Sequence, residues 1–294
     1  MKKILGTFLL ICITTVANAQ LLWKISGNGL TKPSYVMGTH HLAPLSIKDS
    51  IAGLQKAMNE TQQVYGELNM AEVQSPATIQ KMQSMMMIPN DTTLKSLLTP
   101  EEYETANKFC KENLMMDLAV APKLKPATIQ NNAIVVVYIK HVGGFNPQEQ
   151  LDTYFQTQAT QKGKKVAGLE TADFQFNLLY NGTSLRRQAQ QMMCVLNNLD
   201  KGVETLKELT AAYMKQDLVA MERISNEREN NQCDPLPGEM EAAVDNRNIN
   251  WAEKLPAIMK EAPTFVAVGA LHLPGQKGLL NLLKQKGYQV EPVK

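Results

Sequence analysis

The sequence predicts an α/β protein with a central sheet built from both ends of the chain and a large helical insertion between them. Three observations carry this. Apolar, β-branched runs of strand length gather near the two ends, at 21–25, 34–38, 63–68, 264–269 and 288–293, with one more at 164–170. The stretches from about 75 to 160 and from 184 to 228 place apolar residues at helical spacing instead. Finally, one strand from each end runs into the same four-residue frame, Gly-x-x-His.

The chain opens with Lys2 and Lys3, an apolar run over 4–16, and Ala17-Asn18-Ala19. That is the order of a secretory signal peptide, and the run is short for a membrane span. Residues 1–19 are therefore expected to be removed and the protein exported, to the periplasm or outside the cell, with no membrane span left. Ile11 stands before Cys12 where a lipoprotein signal needs a small residue. Without Lys2 and Lys3 the 30 basic residues fall to 28, matching the 28 acids. A neutral chain offers no electrostatic footprint for nucleic acid or an anionic surface. Cys110, Cys194 and Cys233 remain and fit no metal-binding spacing. Either Cys194 and Cys233 pair, as an oxidising compartment permits, or all three are buried thiols.

From residue 20 to 294 we expect a single domain, with the helical insertion around 75–160. Runs 21–25 and 34–38 flank Gly27-Asn28-Gly29 and read as a β-hairpin. A helix follows near Ile47, with Ile51, Leu54 and Met58 on one side. Thr99-Pro100-Glu101-Glu102 is a helix start, with Thr as cap and Pro in the first turn. The run 134–139 suits a buried helix or a strand, and its helical flanks favour helix. The methionines at 82, 85, 86 and 87 read as adaptable core. Run 264–269 is apolar throughout, the pattern of a central strand. A helix over 275–286 and a last strand containing Pro292 close the chain, and the proline suits a sheet edge.

The chain has four histidines, and two of them end the frames Gly38-Thr39-His40-His41 and Gly269-Ala270-Leu271-His272. Loops at the C-terminal ends of strands are where α/β sheets hold their sites. Imidazole there can bind a metal or exchange protons near neutral pH. Glu67 and Glu170 likewise end apolar strands, where a carboxylate is costly to bury unless paired or metal-bound. Together these residues suit a divalent ion, Mn, Co or Zn, with His41, Glu67 and His272 as ligands. Alternatively His41 is a general base assisted by Glu67, with no metal. Arg247 and Asn248 lie on a helix with Trp251. Arg247 either clamps a carboxylate or phosphate, or pairs with Asp245 or Glu241 on its own helix. His40 reads as adjacent support and His141 as a surface residue. No G-x-S-x-G, H-E-x-x-H or G-x-x-x-x-G-K segment occurs, so an activated water is the expected nucleophile.

These segments resemble the TraB/GumN family, which includes the PrgY and Tiki-related proteins. The resemblance runs from Leu22-Trp23-Lys24-Ile25 and Pro33-Ser34-Tyr35 to Gly38-Thr39-His40-His41. It continues through Gly168-Leu169-Glu170-Thr171, Arg247-Asn248 with Trp251, and 265–272 with Leu273-Pro274-Gly275. It implies an EreA/ChaN-like fold of two related halves, each giving one Gly-x-x-His. It implies a site of His41, Glu67, Glu170 and His272, supported by Arg247 and Asn248. Tiki-branch members are metal-dependent proteases, PrgY-branch members limit a peptide pheromone, and erythromycin esterases of the wider fold activate water with a His and a Glu. Asn69 and Asp245-Asn246 stand where relatives often carry Asp and Glu. The expected activity is that of an exported metal-dependent hydrolase, a peptidase acting through a metal- or His/Glu-activated water. The alternative is a binding protein that holds a peptide or small ligand in the same pocket without chemistry.

Overall fold

The structure, a computed structural model, describes residues 20–294. The expected signal peptide and Cys12 lie outside the described residues. Leu22–Ser26 (β1) and Ser34–Thr39 (β2) form the expected antiparallel hairpin. Gly27, Asn28 and Gly29 all take positive φ between them, which glycine tolerates freely and Asn better than most residues. Gln63–Gly66 (β3), Lys165–Gly168 (β4), Thr264–Gly269 (β5) and Gln289–Pro292 (β6) complete a six-stranded sheet of order β4-β3-β5-β2-β1-β6. The sheet is mixed. β2, β5, β3 and β4 run parallel, whereas β1 is antiparallel to both of its neighbours.

The apolar strand β5 is interior, between β2 and β3, and β6 with its Pro292 is an edge. A strand buried on both faces needs no alternation, which is why Phe265, Val266, Ala267 and Val268 are apolar in succession, while Thr264 at its start satisfies its hydroxyl by donating to Ala262 O. Helix Leu151–Gln161 lays Leu151, Phe155 and Ala159 on the sheet, with the Phe155 and Phe265 rings 5.0 Å apart. Helices Asn246–Glu261 and Leu279–Gln285 contribute Trp251, Leu255, Met259, Leu279 and Leu283 to the same core.

A second apolar core, around Leu94, Phe109, Ile129, Val137 and Met192, joins helices Pro100–Leu114, Pro126–His141 and Leu185–Asn197. Thr99 and Glu102 form a reciprocal capping box at the first of these. The ambiguous run 134–139 lies inside the second, as helix. Met82, Met85 and Met86 pack around Phe176 and Tyr180, while Met87 is exposed. Cys194 and Cys233 are bonded, with Cα atoms 5.6 Å apart, and Cys110 is a buried free thiol. No described helix is long and apolar enough to cross a membrane.

Two helices differ from expectation, each at a glycine. The helix expected near Ile47 is a 3-10 segment, Leu45–Ser50, then an α-helix, Leu54–Glu60, divided by Gly53 at φ 70°. The helix expected from 275 begins at Leu279, because Gly275 holds φ 88°.

Candidate active site

The four parallel strands end together, and this collects the site. Thr39 of β2 is level with Gly269 of β5, and Gly66 of β3 with Gly168 of β4. The β3–β4 ladder continues past the strands through Leu169 N–H to Gly66 O at 2.9 Å and Glu170 N–H to Glu67 O at 3.0 Å. That continuation sets Glu67 and Glu170 side by side. Gly168 permits it, since a Cβ there would lie 2.9 Å from Asn69 N and 2.8 Å from Glu170 O. A Cβ on Gly38 would lie 2.9 Å from Leu273 Cδ1, so β2 likewise passes close to the turn bearing His272.

Arg247 enters from above on helix Asn246–Glu261. Nε reaches both oxygens of Glu170, at 3.1 and 3.2 Å. Nη2 donates to Glu67 Oε2 and, at 2.7 Å, to Glu170 Oε1. Nη1 donates to Ala243 O and to His272 Nε2, both at 3.0 Å. All five N–H groups of the guanidinium are thereby engaged. Ala243 lies in a π-helical turn, Glu241–Asp245, directly before this helix. Such turns leave carbonyls without their usual helical partner. Arg247 therefore pairs with neither Asp245 nor Glu241, and it has no free donor with which to clamp a ligand carboxylate. Asp245 instead bridges Lys277 at the surface, and Asn69 caps the short helix Met70–Val73. Asn69 and Asp245 thus fall outside the Glu67–Arg247–Glu170 contacts.

His272 is held from both ring nitrogens. Asn248 Nδ2 donates to Lys277 O at 2.9 Å, which turns its Oδ1 toward His272 Nδ1 at 2.7 Å. The ring is then protonated on Nδ1, and its Nε2 lone pair accepts from Arg247. Burial lowers the His272 pKa to about 4 against the pull of Glu67, with Arg247 and His41 adding to the lowering. Near neutral pH it is an uncharged acceptor. Trp251 stacks beside it, ring centroids 4.5 Å apart, and also lies under the guanidinium at 4.7 Å. For Glu67, burial alone would raise the pKa. His272, Arg247, His41 and the Gly269 N–H, 2.8 Å from Oε1, outweigh burial and hold it at about 2. The pull of His272 acts where that ring is protonated, so near neutral pH Arg247 is the close permanent cation.

His41 has a different fate from His272 despite the shared frame. The β2–β5 register sets Gly38 opposite Val268 rather than Gly269, so the two frames are staggered by one residue. Past the strand ends the two paths diverge: His41 lies in a turn, and His272 closes the 3-10 segment Ala270–His272. The His272 side chain is 8% exposed and that of His41 63% exposed. His41 Nδ1 donates to Asp152 Oδ2 at 2.8 Å, and Asp152 Oδ1 accepts from Thr39 Oγ1 at 2.9 Å. No described residue bonds His41 Nε2. The Asp152 charge, then its hydrogen bond, raise the His41 pKa to about 9. His40 is half-buried with its ring against Tyr213, 5.3 Å between centroids, and takes the Leu42 N–H. His141 is exposed, as expected.

His41, Asp152 and Glu67 line one cleft of about 180 Å³ together with Gln156 and Gln175. Asp152 and Gln175 were not singled out from sequence. Gln175 Nε2 bridges Glu67 and Glu170 at 3.0 Å each. The available signal was position, since Asp152 opens helix Leu151–Gln161 and Gln175 lies one turn into the helix after Glu170. Four larger clefts among the described residues are lined without His41, Glu67, Glu170 or His272.

His41, Glu67 and His272 do not fit a divalent ion as a ligand set. The His272 lone pair and one Glu67 oxygen face Arg247, while the other Glu67 oxygen takes the Gly269 N–H. Among the described residues no three His, Cys, Asp or Glu side chains are grouped to hold a metal. Where a metal would balance the carboxylates, the chain supplies the Arg247 guanidinium.

A parallel-stranded α/β core with paired carboxylates and histidines at its strand ends defines a class of site built for polar chemistry at a sheet's C-terminal edge. The pattern of the TraB/PrgY/gumN family matches residues 21–292, and the chain belongs to that family. It is 22% identical to metalloprotease TIKI2 of Danio rerio, over 92% of this chain and 60% of that protein. It is 24% identical to metalloprotease TIKI1 of Homo sapiens, over 92% and 61%. The chain thus spans about three-fifths of the length of these relatives. No solved structure matches it.

Proposed function

We propose that this protein is an exported hydrolase of acyl bonds, acting on peptides, in which His41 carries the proton and Asp152 anchors it. One observation carries the reading. His41 is fixed through Nδ1 by a buried carboxylate that is itself fixed by Thr39, and its Nε2 has no partner among the described residues and lies at a cleft. An acid or base is most effective when oriented by a third group in this way. In its neutral form His41 takes a proton from water at Nε2. The resulting hydroxide attacks the carbonyl carbon, the C–N bond breaks, and Nε2 returns the proton to the leaving nitrogen. Asp152 stabilises the imidazolium between these steps.

Peptide as substrate class is supported by the relatives' name, metalloprotease. The metal of that name would require Arg247 to withdraw from Glu67 and His272, and no step here depends on one. Glu67, Glu170, Arg247, Asn248 and His272 form the fixed floor. Export is supported by the run before Gln20 and by the Cys194–Cys233 disulfide, which an oxidising compartment sustains.

The test is mass-spectrometric mapping of a random peptide library after incubation with the purified protein, His41→Ala and Asp152→Asn. Cleavage should fall by about 10²–10⁴-fold in His41→Ala. Equal cleavage by His41→Ala, or none by the unaltered protein, would overturn the proposal.

A further inference from the structure

The cleft beside His41 is lined by two unlike sets of side chains. One is polar: His41, Asp152, Glu67, Gln150, Gln156 and Gln175. The other is Leu68, Met70, Val73 and Phe176. The apolar side comes from two segments. Leu68, Met70 and Val73 follow β3, and Phe176 lies on helix Ala172–Asn181, which follows β4. Leu68 and Phe176 are buried, while Met70 and Val73 are half-buried. Gln156 braces the segment from below, its Oε1 taking the Met70 N–H at 2.9 Å and its Nε2 donating to Leu68 O at 2.8 Å. The wall is thus built into the fold.

Size limits what such a cleft accepts. Drug-sized ligands occupy about 300–1,000 Å³, well above the 180 Å³ available here. An apolar cavity of about 150 Å³ accommodates benzene. The cleft therefore takes one side chain of the size of Leu, Met or Phe. A thioether on the wall, Met70, lets it adapt among these shapes. A carboxylate side chain would have to shed its water against Leu68, Met70, Val73 and Phe176, which disfavours it relative to an apolar one.

We propose that this cleft is the specificity subsite of the peptidase. It seats one medium-sized apolar side chain of the substrate, Leu, Met or Phe, and so presents the adjoining peptide bond to His41. The inference rests on the peptidase reading for its role in turnover, and on the cleft alone for its binding preference.

Two measurements separate those parts. The first uses the library above and scores which residues flank the cleaved bond, in the unaltered protein and in Val73→Trp, which fills the cleft. Leu, Met and Phe should dominate one flanking position, with Asp and Glu absent. Val73→Trp should lose about ten-fold or more in kcat/KM for the Leu, Met and Phe peptides and shift preference to Gly and Ala, since even one methylene of misfit in an apolar pocket costs about 10–200-fold. The second measures anisotropy of fluorescein-labelled alanine hexapeptides bearing one central Leu, Phe or Asp, on His41→Ala. The Leu and Phe probes should bind and the Asp probe should not, and Val73→Trp in that background should abolish the difference. His41-dependent cleavage with no apolar preference would overturn the subsite and leave the peptidase intact. Absence of cleavage with Val73-sensitive binding of the Leu and Phe probes would overturn the peptidase and uphold the subsite. Neither cleavage nor binding would overturn both. A Val73→Ala control, which enlarges the cleft, should retain the apolar preference and move it toward Phe. If Val73→Trp shows its losses only with a lowered melting temperature while Val73→Ala leaves preference unmoved, the subsite is overturned.

Discussion

Replacing Arg247 by Met leaves two carboxylates without their shared cation. The side chains of Arg247, Glu67 and Glu170 are 8%, 9% and 6% exposed, so water does not substitute for the guanidinium. Glu67 would keep the Gly269 N–H and Gln175, and Glu170 would keep Gln175 and Trp251 Nε1. Removing one partner of a buried ion pair costs about 3–5 kcal/mol. For a chain of this size that corresponds to a fall in melting temperature of about 6–10 °C. Arg247→Lys should lose less but remain destabilised, because three ammonium donors replace five in a planar fork. The pH dependence has a definite sign. In the unaltered protein Glu67 is depressed to about 2, so its contribution is full above its ordinary 4.5 and is lost as pH falls from there toward 2. Without Arg247 the paired carboxylates favour protonation, so the gap between variant and parent is widest near pH 7 and narrows toward pH 5. Adding Glu67→Gln and Glu170→Gln to Arg247→Met should restore more than half of the lost stability. The assay is thermal unfolding by circular dichroism at pH 5, 6, 7 and 8. An Arg247→Met protein melting within about 2 °C of its parent at pH 7, or a triple variant no better than the single one, would refute the assignment of Arg247 as the buried counter-ion.

Asp152→Asn should lower the peptidase plateau and move its rising pH limb from about 9 toward the ordinary 6.5 of histidine, because the Asp152 charge is the main cause of the His41 shift. A limb that stays in place under that substitution removes His41 as the titrating group. Divalent Mn, Co or Zn in excess should leave the parent's melting temperature within about 1 °C, while Arg247→Met, with Glu67, Glu170 and His272 vacated, should be stabilised. A rise of several degrees in the parent would show that the donors are not engaged as described. Replacing Cys194 and Cys233 by Ala, which opens a loop spanning a separation of 39 residues, should cost about 4 kcal/mol on the chain-entropy account. Denaturant midpoints check this, and an unchanged midpoint refutes it. His40 and His272, both lowered to about 4 by burial, stay neutral while their unfolded counterparts charge, so stability should drop as pH falls from about 6.5 toward 4. His272→Gln should flatten that slope, and an unchanged slope contradicts it.

The floor of the site was legible because its residues end apolar strands. A carboxylate or imidazole within three residues of a strand that ends in glycine is conspicuous, and Glu67, Glu170 and His272 all have that form. Arg247 was legible as a site residue but not in its role. Its partners lie 180, 77 and 25 residues away, and intrahelical acids offered nearer candidates. Asp152 was not legible. It is 111 residues from His41 and lies in a helix whose spacing marks it as ordinary amphipathic structure. The sheet order was likewise hidden, though β5 as an interior strand and β6 as an edge followed from uniform apolarity and from Pro292. The equivalence of His41 and His272 in sequence did not carry over, because past the strand ends His41 lies in an open turn, whereas His272 closes a 3-10 segment packed against Trp251 and Arg247.

The separation of the Arg247 cluster from the Asp152–His41 pair affects how mutagenesis of this site is interpreted. Substituting Glu67 or His272 disturbs the charge balance of the floor, so lost activity follows whether or not either residue touches substrate. Glu67 anchors Gly269 N–H as well as Arg247, and through Gly269 it sets the turn that carries His272. A loss at Glu67 with a lowered melting temperature is therefore what a structural role alone predicts. Asp152 discriminates better. It binds Thr39 and His41 but no member of the Arg247 cluster. Its isosteric change to Asn preserves shape and alters the charge felt by His41. A shifted pH limb at nearly unchanged melting temperature can then arise from His41 chemistry and not from a loosened floor.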